Sequence, residues 1–139
     1  MLCGVDQIDL EDWQANTDYI GGYRSNSPQI LFFWDMILDM SNEQRAQLFQ
    51  FATVTTLLPP GGFMNLMSSM GPRKFTIYRS IKGTQYLPNF HTNFNQNDLP
   101  PYKTNDIFIE MFNTELKKES NAPDSELDEI DPNYPTTVD

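Results

Sequence analysis

Few side chains in this sequence could take part in chemistry. Its 139 residues contain one histidine, His91, and one cysteine, Cys3. A single histidine can act as a general base, but it more often satisfies a hydrogen bond within a fold. Cys3 has no second cysteine for an intrachain disulfide, and one histidine with one cysteine cannot build a usual zinc site. We therefore expect no metal and no cofactor, and we interpret Cys3 as a packed or incidental thiol.

Two further patterns suggest chemistry but are better explained by structure. Asp9, Glu11 and Asp12 form an acidic cluster at the start of a predicted helix, where carboxylates stabilise the positive end of the helix dipole, so a metal site there is not favoured. The pairs Gly21-Gly22 and Gly61-Gly62 lack the spacing and the following lysine of a phosphate-binding loop and are predicted to be turns. The residues alone indicate a folded domain with no visible active site.

Composition and charge narrow the classes of function. The chain is 39% hydrophobic and 13% aromatic, which suffices for one compact domain. Its net charge of -10 repels phosphate backbones, so no nucleic-acid partner is expected. The acidity is concentrated after Lys118, where acids occur without bases, and residues 119–139 are predicted to be a disordered acidic tail. With no signal peptide and no apolar run that could span a membrane, we expect a cytoplasmic or nuclear protein.

Three helices are predicted in the first half of the chain. The apolar residues of 8–13 fit one side of a short helix. Ser27-Pro28 predicts the start of the second helix, because serine can cap free N–H groups and proline at the first helical position loses no hydrogen bond. Ser41 and Gln44 form a capping box that starts the third helix. The apolar stripe of the second helix is predicted to comprise Ile30, Leu31, Trp34, Ile37 and Leu38.

Strands and a last helix are predicted in the second half. Residues 75–78 and 87–94 are typical of strands, and the prolines of 98–102 keep that segment extended. Thr104 can cap a helix that docks on the domain. Phe108, Met111, Phe112 and Glu115 lie on neighbouring turns of this helix, and the apolar members of the set are what predicts the docking. This order of elements predicts an α+β fold in which helices pack on a small sheet.

The residues around His91 resemble a known active site. Residues 87–95 read LPNFHTNFN and residues 98–102 read DLPPY. This closely resembles the active-site segment of HECT-type ubiquitin ligases, L-P-x-x-H-T-C-F-N followed by D-[LI]-P-P-Y. Further motifs are similar to the family in order and spacing, namely IDLEDW at 8–13, FW at 33–34, EQRAQL at 43–48 and GPR at 71–73.

The resemblance covers about residues 2–118 and is nearest to the branch whose members carry WW domains. It implies that residues 1–118 are the C-terminal lobe (C-lobe) of the catalytic domain, followed by the acidic tail. The N-terminal lobe (N-lobe), which in the family recruits the conjugating enzyme, is missing from the sequence. A conjugating enzyme is therefore expected as a partner only if an N-lobe is supplied.

The family's chemistry depends on one cysteine, which accepts ubiquitin as a thioester and passes it to a lysine amine. The resemblance places that cysteine at Asn93, between Thr92 and Phe94. Because an amide nitrogen is delocalised into its carbonyl, Asn93 should form no ubiquitin thioester, and His91 and Thr92 are the other site residues that the resemblance implies. Three explanations stand: a natural pseudoenzyme, which we favour, an error in the gene model, and another nucleophile elsewhere. Cys3 is a poor candidate for the last, because the resemblance places it at the hinge between the lobes.

The same resemblance implies a surface for ubiquitin. Val54 stands where the family has a permissive glycine, so the loop beside the active site is expected to be reshaped. We expect a degenerate C-lobe that forms no thioester and retains weak contact with ubiquitin or a ligase partner. The alternatives are a fragment of an active HECT ubiquitin-protein transferase and a structural remnant without a partner. The candidate ubiquitin contacts are Thr53, Val54, Leu87, Phe90 and Phe94.

Overall fold

A computed structural model describes residues 8–53 and 59–121, and these residues form four helices and a small mixed sheet. The helices are α1 (Leu10–Ala15), α2 (Pro28–Asp39), α3 (Asn42–Ala52) and α4 (Asn105–Asn121). The strands are β1 (Thr17–Ile20), β2 (Met67–Ser68), β3 (Gly71–Pro72), β4 (Phe75–Arg79), β5 (Asn89–His91) and β6 (Gln96–Leu99). The predicted α+β class is confirmed.

The sheet has the strand order β1-β4-β6-β5, and β2 and β3 form a separate antiparallel hairpin. β1 and β6 both run parallel to the central strand β4. β5 runs antiparallel to β6 and closes one edge, so the chain must reverse between His91 and Gln96, which lie opposite each other. That reversal contains the predicted site.

Trp13 lies at the centre of the core and is fully buried. Its ring stacks on Phe63, with centroids 5.2 Å apart and planes 7° apart. Trp34 and Phe75 meet the same indole edge-on at 5.8 and 5.4 Å. Aromatic pairs in these geometries contribute stabilising free energy beyond that expected from the area that they bury. One tryptophan on the short helix α1 therefore joins α2, β4 and the turn that precedes the β2–β3 hairpin.

The start of α3 follows the sequence prediction, while α2 departs from it in two respects. The capping box is present: the Gln44 N–H donates to the Ser41 hydroxyl at 3.1 Å, and the Ser41 N–H donates to the Gln44 side chain at 2.9 Å. Ser27 does not cap α2, because its hydroxyl accepts from the Arg24 N–H instead. The predicted stripe was also wrong at Leu31 and Leu38, which are exposed. Seven residues apart, they lie along a line turned away from the core, and Phe33 and Met36 are buried in their place.

The strand predicted over 87–94 was wrong in its extent. Only Asn89–His91 form a strand, and Thr92–Phe94 form a single 3-10 turn. The physical reason is the reversal of the chain into β6, which a continuous strand could not make. Of the segment 98–102, which is predicted to be extended, the first two residues complete β6, and the Tyr102 N–H then donates to the Pro100 carbonyl at 2.8 Å in a tight turn.

α4 docks on the domain as predicted. The Thr104 hydroxyl accepts from the Ile107 N–H at 3.2 Å, and Phe108, Phe112 and Glu115 are buried. The helix continues to Asn121, past the predicted lobe boundary at residue 118. Residues 122–139 lie outside the described residues, so the disordered tail stays a prediction. Within residues 8–53 and 59–121, no helix is long and apolar enough to cross a membrane.

Glu115 is an ionisable residue on the buried side of α4. The pKa of Glu115 is raised from its ordinary value of 4.5 to about 8, chiefly by burial and also by Glu119, while Lys118 acts in the opposite direction. The Lys118 Nζ lies 3.8 Å from the Glu115 carboxylate. Because the pKa in the folded state exceeds that in the unfolded chain, the folded state binds more protons than the unfolded chain at pH values between the two pKa values. This group therefore makes the free energy of unfolding fall as pH rises from about 5 to about 8.

Replacing this carboxyl with a neutral amide should remove that loss of stability. We expect Glu115→Gln to match the wild type near pH 5 and to exceed its free energy of unfolding by about 1–3 kcal/mol above pH 8. Urea unfolding at a series of pH values measures the difference. Glu110→Gln, at an exposed position on the same helix, is the control and should show no such divergence. A constant difference between Glu115→Gln and wild type across this pH range would contradict the prediction.

Candidate functional site

The predicted site lies on the reversal between β5 and β6. Asn93 is the middle residue of the 3-10 turn Thr92–Phe94 and is exposed. The side chain at this position is therefore presented to solvent at an edge of the sheet. The exposure fits a position at which a covalent acceptor would have to meet a large partner.

Asn95 makes the reversal possible. It is fully buried and is the one residue other than glycine with a positive φ, 54°, among the described residues. Asparagine tolerates this left-handed conformation better than most residues. Its side-chain amide donates to the carbonyls of Met67 at 3.0 Å and Arg73 at 2.9 Å, and its own carbonyl accepts from the Thr76 N–H at 2.9 Å. Asn95 therefore connects the turn by hydrogen bonds both to the β2–β3 hairpin and to β4.

The hairpin and α3 hold the turn through its main chain. Ser69 donates both its N–H, at 3.0 Å, and its hydroxyl, at 2.9 Å, to the Asn93 carbonyl. The Arg73 guanidinium donates to the Phe94 carbonyl at 2.8 Å. On the other side, the Thr92 hydroxyl donates to the Phe51 carbonyl near the end of α3 at 2.7 Å. Thr92 therefore positions the turn, while the residue at 93 is held by its backbone.

His91 is paired with a carboxylate. Its Nε2 lies 2.8 Å from the Asp98 Oδ2, and the two side chains are only 20% and 18% exposed. The second oxygen of Asp98 accepts from the Gln96 side-chain amide at 2.8 Å. Such a pair fixes the orientation of the imidazole two residues before Asn93. The structure thus gives His91 a satisfied polar partner, as expected for a lone histidine in a fold.

The candidate ubiquitin contacts differ in what they present. Phe94 is exposed beside Asn93, whereas Leu87 and Phe90 are half-buried. The Phe90 ring packs against Phe112 with centroids 5.8 Å apart. Thr53 is buried, and its hydroxyl donates to the Phe49 carbonyl at 2.7 Å. Val54 and the rest of its loop lie outside the described residues, so the expected reshaping of that loop stays a prediction.

The acidic cluster near the N-terminus serves structural contacts. The Asp9 carboxylate caps α1 by accepting from the Asp12 N–H at 3.2 Å. The Asp12 carboxylate accepts from the Phe63 N–H at 3.0 Å, beside Gly62, which has a φ of 85°. Throughout the described part of the chain, no group of three His, Cys, Asp or Glu side chains is placed to hold a metal ion.

Sequence reasoning missed the residues that support the turn. Arg73 and Asn95 lie within motifs quoted for the resemblance, but no supporting role was predicted for them or for Ser69, although these three residues provide most of the hydrogen bonds of the turn. A signal for the hairpin exists in Gly71, whose φ of 116° requires glycine. The partners of Ser69 and Arg73 lie more than 20 residues away along the chain, and local patterns cannot indicate such contacts.

Comparison with known proteins covers nearly the whole described chain. A family model described as HECT-domain (ubiquitin-transferase) matches residues 1–121. The E3 ubiquitin-protein ligase HECW2 of Homo sapiens is 42% identical over 120 residues, which are 86% of this chain and 8% of that protein. The E3 ubiquitin-protein ligase RSP5 of Saccharomyces cerevisiae is 45% identical over 102 residues, 73% of this chain and 12% of RSP5. The E3 ubiquitin-protein ligase ptr1 of Schizosaccharomyces pombe is 39% identical over 120 residues, 86% of this chain and 4% of that protein. The chain thus spans only a small part of the length of these relatives.

The role of Asn95 can be tested by substitution. Asn95→Ala removes two buried hydrogen bonds and leaves a residue that disfavours positive φ, so we expect the free energy of unfolding to fall by about 2–4 kcal/mol. Asn95→Gly removes the same hydrogen bonds, but glycine adopts a positive φ without steric cost. This variant should therefore lower the free energy of unfolding less than Asn95→Ala does. Chemical denaturation measures both, with the exposed Asn113→Ala on α4 as control. A loss for Asn95→Ala no larger than that of the control would show that the turn does not depend on this residue.

Proposed function

The chain belongs to the HECT-domain family of ubiquitin transferases, and on that premise we propose that it is a degenerate C-lobe whose acceptor position cannot form the ubiquitin thioester. The observation that carries this proposal is Asn93 at the centre of an exposed, well-supported turn. The family scaffold is retained around this position, while the reactive atom is replaced.

The atom at the acceptor position decides whether a thioester can form. A thiol ionises close to neutral pH, and the thiolate attacks a thioester readily. The carboxamide of Asn93 has no ionisable proton in this range, and its nitrogen lone pair is delocalised into the carbonyl. The described residues contain no cysteine that could act instead, since the single cysteine of the chain is Cys3. The proposal is therefore that transfer is lost through chemistry rather than through unfolding of the site.

A weak contact with ubiquitin is the second part of the proposal. Phe94 directly follows Asn93 and is 44% exposed, which offers an apolar side chain beside the acceptor position. Exposed aromatic residues are common anchors of protein interfaces. Only part of the candidate surface is available, because Thr53 is buried and Phe90 packs against α4. These exposures favour a small, low-affinity contact.

The alternative function is that of a segment of an active ligase. It is favoured by the match itself, since the relatives are named E3 ubiquitin-protein ligases and the chain spans at most 12% of the three described above. In that case the longer protein would need a thiol at the acceptor position or a nucleophile outside the described residues. Ubiquitin and, with an N-lobe, a conjugating enzyme would then be its reaction partners.

Restoring sulfur at residue 93 separates the two functions. We expect the chain fused behind a family N-lobe to stay unloaded when it is incubated with a charged conjugating enzyme, and Asn93→Cys to gain a ubiquitin adduct that reductant removes. Non-reducing gels measure the adduct, with Cys3→Ser in both proteins to exclude the other thiol. Asn93→Ser is the matched control, because an adduct on its hydroxyl would resist reductant.

Two outcomes would contradict the proposal. A reducible adduct on the fusion that keeps both Asn93 and Cys3 would show that the chain has its own nucleophile. A folded Asn93→Cys fusion that never loads would show that the turn no longer supports transfer, so the defect would not be confined to one atom.

The retained contact is tested with isotope-labelled ubiquitin. We expect small shifts in fast exchange as the unlabelled chain is added to millimolar concentration, and smaller shifts with Phe94→Ala. Leu38→Ala, which removes an even more exposed apolar side chain from α2, should behave as the wild type. The absence of shifts with the wild type would instead favour a structural remnant without this partner.

A further inference from the structure

A half-open groove with an apolar floor runs along α4 towards its C-terminal end. Its volume is about 570 Å³, and its lining residues come from α4, from the end of α2 and from the start of α3. Exposed polar side chains, such as Gln47 on α3 and Asn113 on α4, stand at its rim. Its floor is formed by apolar side chains that belong to the core or pack against it, namely Met36, Met40, Ile109 and Leu116.

The chain leaves α4 at one end of this groove. α4 ends at Asn121, and Ser120 in its last turn lines the groove. The Ser120 hydroxyl also donates to the Leu116 carbonyl at 2.9 Å. Pro123 follows two residues after the end of the helix, and a proline disfavours the helical conformation of the residue before it. We therefore expect the chain to depart from the axis of α4 directly beside the groove.

The sequence after Pro123 is typical of a short amphipathic helix. Ser125 and Asp128 have the spacing of an N-terminal capping pair, and Pro132 ends the pattern. Leu127 and Ile130 are the apolar residues in between, and a spacing of three places them on one side of a helix. Two such side chains cannot form a core of their own, which agrees with the disorder predicted for this tail by itself. They can be buried only against another surface.

The connection has the right length for a return along α4. Residues 122–125 separate α4 from this second helical pattern, and four residues are within the usual length of a turn between antiparallel helices. Because both helices rise by about 1.5 Å per residue, the return places Leu127 opposite Ser120 and Ile130 opposite Lys117. Ser120 and Lys117 both line the groove. The two apolar side chains therefore reach the groove in this register.

The charges of the groove are compatible with this occupant. Lys117 and Asp39 are the charged residues that line it, so an apolar pair with acids around it meets one cation there. Asp131 directly follows Ile130 and lies beside Lys117 in the antiparallel register. We propose that residues 126–131 fold back as a short helix and bury Leu127 and Ile130 in the groove between α4 and the α2–α3 junction.

Nuclear Overhauser contacts between methyl groups of the full chain test this docking. With the isoleucine, leucine and methionine methyl groups labelled, we expect contacts from Leu127 and Ile130 to Leu116 and to at least one of Met36 and Met40. Because the contacts lie within one chain, dilution should leave them unchanged. Their absence from the wild type would overturn the proposal. Contacts that disappear on dilution would also overturn it, since they would assign the groove to a second copy of the chain.

Substitutions in the segment give a second, independent measurement. Leu127→Ser and Ile130→Ser should each shift the methyl signals of Leu116 and Met40 and weaken their contacts with the segment, because serine removes the aliphatic side chain. Val138→Ser, which removes an apolar side chain beyond Pro132, is the matched control and should leave these signals in place. Equal shifts in the control, or no shift in the other two variants, would refute the proposal.

Discussion

The side-chain amide of Asn95 is the contact on which the rest of the site depends. The backbone of Asn95 has the left-handed conformation that reverses the chain, and its side-chain amide donates to the carbonyls of Met67 and Arg73, which flank the open end of the β2–β3 hairpin. A buried amide with both of its hydrogens donated is stable only in this one arrangement of turn and hairpin. The exposed position at residue 93 is therefore set by a residue that is itself completely buried.

This arrangement separates the scaffold of the site from its reactive position. Ser69 and Arg73 donate to main-chain carbonyls of the turn, and Thr92 reaches a main-chain carbonyl of α3. None of these bonds uses the side chain of residue 93. A change of residue type at this position consequently alters the chemistry that the turn can perform without removing the hydrogen bonds that hold it. Under the proposed function, a HECT C-lobe would in this way keep its architecture with a carboxamide at the acceptor position.

Local features were predictable from the sequence, and contacts between distant segments were not. The capping box at Ser41 and the cap at Thr104 each depend on residues three positions away, so the sequence indicates them directly. The motif around His91 predicts the site through resemblance rather than through physical reasoning. The 3-10 turn at residue 93 was missed because Asn95 and Ser69 support it across more than 20 residues of chain. Leu38 was assigned to the core because helical spacing alone does not reveal which side of a broad stripe meets the sheet.

Site-resolved mass spectrometry of the unaltered chain tests the central claim most directly. The chain would be exposed to ubiquitin that carries a thiol-reactive electrophile at its C-terminus, digested, and mapped residue by residue. Our account predicts that the peptide containing the turn and β6 remains unmodified under conditions that label a thiol-bearing family C-lobe completely. A ubiquitin remnant bound at position 93 would contradict it, because a carboxamide cannot capture such an electrophile.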